Sequence, residues 1–209
     1  MSEKLNISGE GKIILDLLKE LNNVDLKKTA THKNLPLEAN GEVVIESFSR
    51  CYLVSQDGVS VTDGRSISSK QKVAVLSYIL SESTGAPAYD FVPFSHLGGF
   101  NIGREQHVGK SIKQPLLNTF GDEYELFAKA ALKIGGIQTD GDTPDKHVWL
   151  FKAFPNIPIQ VIFYGRDEEF PADVQVLFDN KALDYFGTKC LGLLPGYFTC
   201  TLIDAASDL

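Results

Sequence analysis

Ile159-Gln160-Val161-Ile162-Phe163-Tyr164 decides the fold, together with Val148-Trp149-Leu150-Phe151 before it and Val174-Gln175-Val176-Leu177-Phe178-Asp179 after it. β-branched and aromatic side chains fill all three runs, and Pro155-Asn156, Pro158 and Gly165 punctuate them. Runs this short and this stiff at the β-carbon read as strands. The middle run is the most apolar and is expected at the centre, where both faces of a strand are covered.

Working outward, the tail predicts helical pieces near 181–187 and over 189–205, with Pro195-Gly196 bending or splitting the second. Upstream, Leu126, Phe127, Ala130 and Leu132 predict a helix with these residues inward, capped by Asp122 and closed by Gly135-Gly136. Residues 105–120 read as helical but interrupted at Pro115, and 89–103 as a structured loop. Val73, Leu76, Ile79 and Leu80 share one helix face, with Ser66, Ser68 or Ser69 as its cap. Residues 41–62 alternate and predict a meander of two or three short antiparallel strands, with Asp57-Gly58 as a type I′ turn. A helix over 10–22 precedes it, and 24–40 reads as an irregular connection or a short helix. Strands and helices fall in separate runs, so the class is α+β with antiparallel sheets. One domain is expected over 1–209, with an N-terminal helix and β-meander subregion (1–64) before the core (65–209).

The 209 residues are 43% hydrophobic and 22% charged, which excludes disordered and coiled-coil classes. No apolar run is long enough to cross a bilayer, and Met1-Ser2-Glu3-Lys4-Leu5 has no signal-peptide core, so a cytoplasmic protein with no membrane partner is expected. The net charge of −7 comes from residues 120–209, which hold 14 acids and 7 bases, and this disfavours nucleic acid. Cys51, Cys190 and Cys200 form no C-x-x-C, so zinc-ribbon and disulfide frameworks lack their ligands. Cys190 and Cys200 are expected to be reduced and buried.

Four patterns suggest chemistry. The run from Gly103 to Gly109-Lys110-Ser111 resembles a phosphate loop with one residue too many between its glycines, so a turn leading into a helix is the better reading. His96, Gly98, Gly99, Phe100, Arg104 and His107 make the most chemically mixed loop, a candidate ligand-binding segment for an anionic or planar molecule. The histidines form no metal-spaced pair, and one of them suits an axial ligand to a haem or corrinoid. Asp167, Glu168, Glu169 and Asp173 flank Phe170-Pro171, which is expected to anchor the segment on an apolar surface. Two converging carboxylates there would hold a divalent cation or share a proton. The plainer reading is a solvated turn whose oxygens accept backbone N–H bonds or pair with Arg166. No metal site is assigned.

Phe154-Pro155-Asn156-Ile157-Pro158, Gly165-Arg166-Asp167-Glu168-Glu169-Phe170-Pro171-Ala172 and Leu177-Phe178-Asp179 resemble an uncharacterised prokaryotic family of domains of unknown function, DUF3786. Leu76-Ser77-Tyr78-Ile79-Leu80, Val92-Pro93-Phe94, Gly98-Gly99 and Phe120-Gly121 extend the likeness over roughly 65–205. The resemblance implies a setting in anaerobic cofactor or one-carbon metabolism. It carries no catalytic residues, and the four-cysteine segment of some relatives is missing here. The expectation is a non-catalytic accessory protein that binds a small molecule or cofactor, a tetrapyrrole or corrinoid being one class, beside 96–107 and 167–173. The alternatives are a metal-dependent enzyme using the acidic turn with a histidine, and an acidic subunit that docks onto a protein partner.

Overall fold

The computed structural model describes residues 9–99, 105–121, 123–139 and 146–209, and for 98–99, 105–111 and 187–191 the backbone alone. In chain order these form α1 (Gly9–Leu21), α2 (Leu26–Lys33), β1 (Val43–Ser47), β2 (Arg50–Ser55), β3 (Gly58–Val61), α3 (Ser69–Leu80) and β4 (Phe91–Pro93). A 3₁₀ turn (Phe94–Gly99) leads to α4 (Glu105–Phe120), α5 (Tyr124–Lys133), β5 (Ile137–Thr139), β6 (Lys146–Phe154), β7 (Ile157–Tyr164), β8 (Asp173–Asp179), α6 (Ala182–Leu191) and α7 (Leu193–Ser207). The class is α+β, with a three-stranded sheet β1-β2-β3 and a five-stranded sheet β4-β8-β7-β6-β5, every pairing antiparallel.

β7 is central, as its composition predicts. Ile159, Val161 and Phe163 point to one fully covered face, beside Trp149 and Phe151 of β6 and Phe178 of β8. Helices cover that face. Phe127 of α5 packs edge-on to Trp149 at 6.0 Å, and Phe198 of α7 meets Phe151 at 5.1 Å. Tyr78 of α3 stacks on Phe154 at 4.8 Å, and the run Val73–Ile79 of α3 is buried throughout. Offset and edge contacts of this kind add to the area term of burial.

Local chemistry sets the helix ends. Asp25 accepts the Lys28 N–H at 3.2 Å and starts α2, which stops at Asn34 in a left-handed conformation. Ser68 and Gln71 form a capping box at the start of α3. The tail breaks at Gly192 instead of Pro195. Pro195 falls in the first turn of α7, where a missing N–H forfeits no helical bond. α4 runs on through Pro115 without a break. Gly109, Lys110 and Ser111 lie inside that helix, which agrees with the helical reading of this stretch and not with a phosphate loop at those positions.

Three local expectations are corrected. The turn with two positive φ values is Phe48-Ser49, between β1 and β2, at 49° and 59°. Around Asp57-Gly58 only Gly58 has a positive φ. The reason is tertiary: Phe48 is buried against Tyr197 at 5.2 Å and Phe198 at 5.7 Å, and its N–H donates to the Lys152 carbonyl at 3.1 Å. These contacts offset a conformation that a bulky residue adopts only under such constraint. Leu132 faces outward at 63% exposure, and Ala131 takes the inward place. Cys200 is exposed, not buried, because α7 turns Phe198 and Leu202 inward instead. Asp122 as a helix cap, and Cys190 as a buried thiol, fall outside the described side chains.

Candidate functional site

A cleft of about 910 Å³ opens where the β1–β2 turn, the start of α3 and the outer side of α7 meet. Ser47, Tyr52 and Tyr197, all buried, reach its floor and form one chain of hydroxyls. The Ala153 carbonyl accepts from Ser47 Oγ at 2.5 Å, since a carbonyl only accepts. Ser47 therefore accepts from Tyr197 at 2.8 Å, and Tyr197 in turn from Tyr52 at 3.2 Å. The chain is polarised, running from Tyr52 through Tyr197 and Ser47 to the Ala153 carbonyl. Burial pushes the Tyr197 phenol well above its ordinary range, so it stays a neutral donor.

Arg50 shapes the wall above. Its guanidinium binds both Asp63 oxygens at 2.9 and 3.1 Å and the carbonyls of Arg65 and Ser66 at 3.2 Å. It also lies over the Tyr52 ring at 5.4 Å. Arg50 holds the Asp63 carboxyl well below the usual range, and the Arg65 N–H adds to this. Arg50 is thus spent on fixing residues 63–66, the approach to α3. Past it, the N–H groups of Ser69 and Lys70 lie in the first turn of α3, where no helical acceptor exists. Lys70 Nζ has one hydrogen-bond partner among the described residues, Cys200 Sγ at 4.0 Å, and lies close to Gly196. Glu10 and Asp204 line the opposite side without an ion pair to a described residue. Lys133 is tied to the end of α7 through Asp208 at 3.5 Å and the Asp208 carbonyl at 3.1 Å.

The strained turn belongs to this cleft, since Phe48 and Ser49 line it. Gly135, at φ 77°, packs against Ser49 so closely that a β-carbon there would collide with Ser49 Oγ. Gly135→Ala is expected to lower stability by about 1 kcal/mol, read by urea unfolding. Both the positive φ and the collision oppose a methyl group there.

Of the expected ligand segment, His96 alone is described with its side chain. His96 is exposed on the 3₁₀ turn, with Leu97 facing the core in its place. Gly98 and Gly99 end that turn. Phe100 and Arg104 lie outside the described residues, and His107 is described only as backbone within α4. Among the described residues, no histidine lines the cleft. The segment leading into the 3₁₀ turn packs on the late sheet: β4 pairs with β8, and Phe94 packs edge-on to Phe178 at 5.7 Å.

The acidic turn borders a second groove, of about 730 Å³, between α4 and residues 164–175. Asp167 Oδ1 accepts the N–H of Glu169 at 2.8 Å and of Phe170 at 2.6 Å, the plainer of the two roles expected for it. Asp173 pairs with Lys113 at 2.5 Å. Glu168 and Glu169 point to solvent, and among the described residues no three His, Cys, Asp or Glu side chains gather as a metal set. Phe170 is 65% exposed and anchors nothing.

The cleft residues escaped the sequence because they are far apart in it: Ser47 and Tyr197 are separated by 150 positions. The one local signal was Ser66-Ile67-Ser68-Ser69-Lys70, read only as a choice of helix caps.

A family model described as a domain of unknown function, DUF3786, matches residues 25–200. No curated protein and no solved structure matches the chain.

Proposed function

Because the chain belongs to the DUF3786 family of domains of unknown function, its relatives bring no assigned activity, and we propose from geometry that it binds a small polar molecule bearing an oxyanion. The receptor is the cleft beside α3. The observation that carries this reading is Lys70, an ammonium at the mouth of a large cleft with no carboxylate partner among the described residues. It stands beside first-turn N–H groups that favour negative charge. The Ser66 and Ser69 hydroxyls add donors, and Glu10 and Asp204 supply acceptors for the rest of a polar ligand. The floor of buried hydroxyls gives a fixed pattern of donors and acceptors, and the Arg50 hub holds the wall before a ligand arrives. A binding role, not a reaction, follows from this set of groups, and it keeps the accessory, ligand-binding reading while moving the site away from residues 96–107.

The test is thermal unfolding of the full chain with inorganic phosphate and with succinate, ionic strength being held constant with chloride. A saturable rise in Tm is expected for at least one anion. Lys70→Ala should weaken its apparent affinity about tenfold, consistent with loss of one charge-assisted contact. If neither anion gives a saturable rise, or Lys70→Ala leaves it unchanged, the reading fails. Phosphate alone, or succinate alone, identifies which oxyanion the cleft prefers.

A further inference from the structure

We propose that the groove between α4 and the acidic turn docks a basic segment of a partner protein, which seats an apolar side chain against Phe170. The groove lies apart from the cleft beside α3 and shares no lining residue with it. Its surface is apolar where Leu117, Tyr164, Phe170, Pro171 and Ala172 meet. Phe170 is 65% exposed, whereas Phe120, Phe127, Phe151, Phe154, Phe163, Phe178 and Phe198 are fully buried. Taking the face of an exposed phenylalanine out of water favours whatever covers it.

The turn is held in this pose before anything binds. Asp167 Oδ1 takes the N–H groups of Glu169 and Phe170, and the Asp167 N–H donates to the Phe170 carbonyl at 3.1 Å. The aromatic ring therefore needs little ordering on association. Lys113 and Asp173 neutralise each other on the far side of the groove.

Charge selects the occupant. Glu168 and Glu169 have no ion pair or side-chain hydrogen bond among the described residues, and Asp167 adds a third exposed carboxylate. The surrounding half of the chain, 120–209, has 14 acids against 7 bases. A nucleic acid would be repelled. A second copy of the chain, docked through the same patch about a two-fold axis, would face these carboxylates with its own. Lysine or arginine beside an apolar side chain satisfies both the rim and the ring.

The probe is a labelled peptide of alternating lysine and leucine, compared with one in which glutamate replaces each lysine. Fluorescence anisotropy with the full chain reads binding at low and high salt. The lysine peptide is expected to bind, and to bind about tenfold more weakly at high salt. Phe170→Ser, and separately Glu168→Gln with Glu169→Gln, should each weaken it about tenfold, since both changes fall on exposed side chains and leave the fold intact. Equal binding of the two peptides, no binding of the lysine peptide, or affinity unchanged in either variant overturns the proposal. Concentration-dependent self-association in sedimentation that disappears in Phe170→Ser assigns the groove to a second copy and overturns it as well.

Discussion

Asp179→Ala is expected to remove about 4 kcal/mol of stability. Asp179 ends β8 at 1% exposure, a carboxylate with almost no water around it. Three backbone N–H groups take the place of that water: Tyr89 at 2.6 Å, Lys181 at 2.9 Å and Ala88 at 3.3 Å. Alanine would take the shared acceptor away from all three donors, leave a void where the buried carboxylate sat, and free the segment before β4 from the sheet. That segment is strained, with Tyr89 at φ 53°, and Asn180 adds a further tie, its backbone N–H donating to the Asp90 carbonyl at 2.9 Å and its side-chain amide to the Asp90 carboxylate at 3.1 Å. Urea unfolding should show the loss as a lower midpoint, and a thermal scan as a fall of roughly 10 °C for a chain of this size. Asp173→Ala is the control. Its carboxylate is partly exposed and pairs with Lys113, so its loss should stay within about 1 kcal/mol. Similar losses for the two variants would show that the buried carboxylate does not organise residues 88–90.

What the sequence made legible follows the range of the forces involved. Strands β6, β7 and β8 were readable because side-chain alternation and β-branching act within a few residues. β4 and β5 have three residues each, too few for any period to show, and they exist because a neighbouring strand offers an open ladder. A serine cap at 66, 68 or 69 was readable because capping acts within one turn, and Ser68 takes it, with Gln71 three positions on as its partner. The Phe48-Ser49 turn was not, because nothing in those two residues favours a positive φ. The conformation is imposed by Tyr197, Phe198 and Lys152, all distant in the chain. The acidic turn showed its chemistry but not its exposure. Whether Phe170 is covered depends on α4, and no pattern within 165–173 records that. The cleft is the extreme case, since every hydrogen bond in its floor joins residues from different elements.

Lys33 should make stability rise with pH between about 8 and 10.5. It is 4% exposed at the end of α2. Its amine donates to Ser81 Oγ at 2.8 Å and to the Ser83 carbonyl at 2.7 Å, and it lies 5.3 and 5.4 Å from the Tyr78 and Tyr185 ring centres. No carboxylate pairs with it among the described residues. Burial pushes the amine down to about 8, because the rings and two neutral oxygens replace less hydration than the charge loses. The unfolded chain keeps an ordinary lysine, so between these values it binds more protons than the folded one, and raising the pH then favours folding. Below pH 8 both states carry the charge and its desolvation penalty is present in full. The gain across the window is expected to be about 2 kcal/mol. Tyrosines act against it: burial pushes the Tyr78 and Tyr197 phenols up, so above pH 10 their unfolded counterparts ionise first and favour unfolding. Comparison with Lys33→Met separates the two effects, since methionine fills the same slot and carries no charge. Urea midpoints at a series of pH values should converge or cross as pH rises from 7.5 to 9.5, the wild-type chain gaining on the variant. A constant difference across that range would mean that the Lys33 amine titrates alike in both states and that the aromatic slot holds it fully charged at no cost.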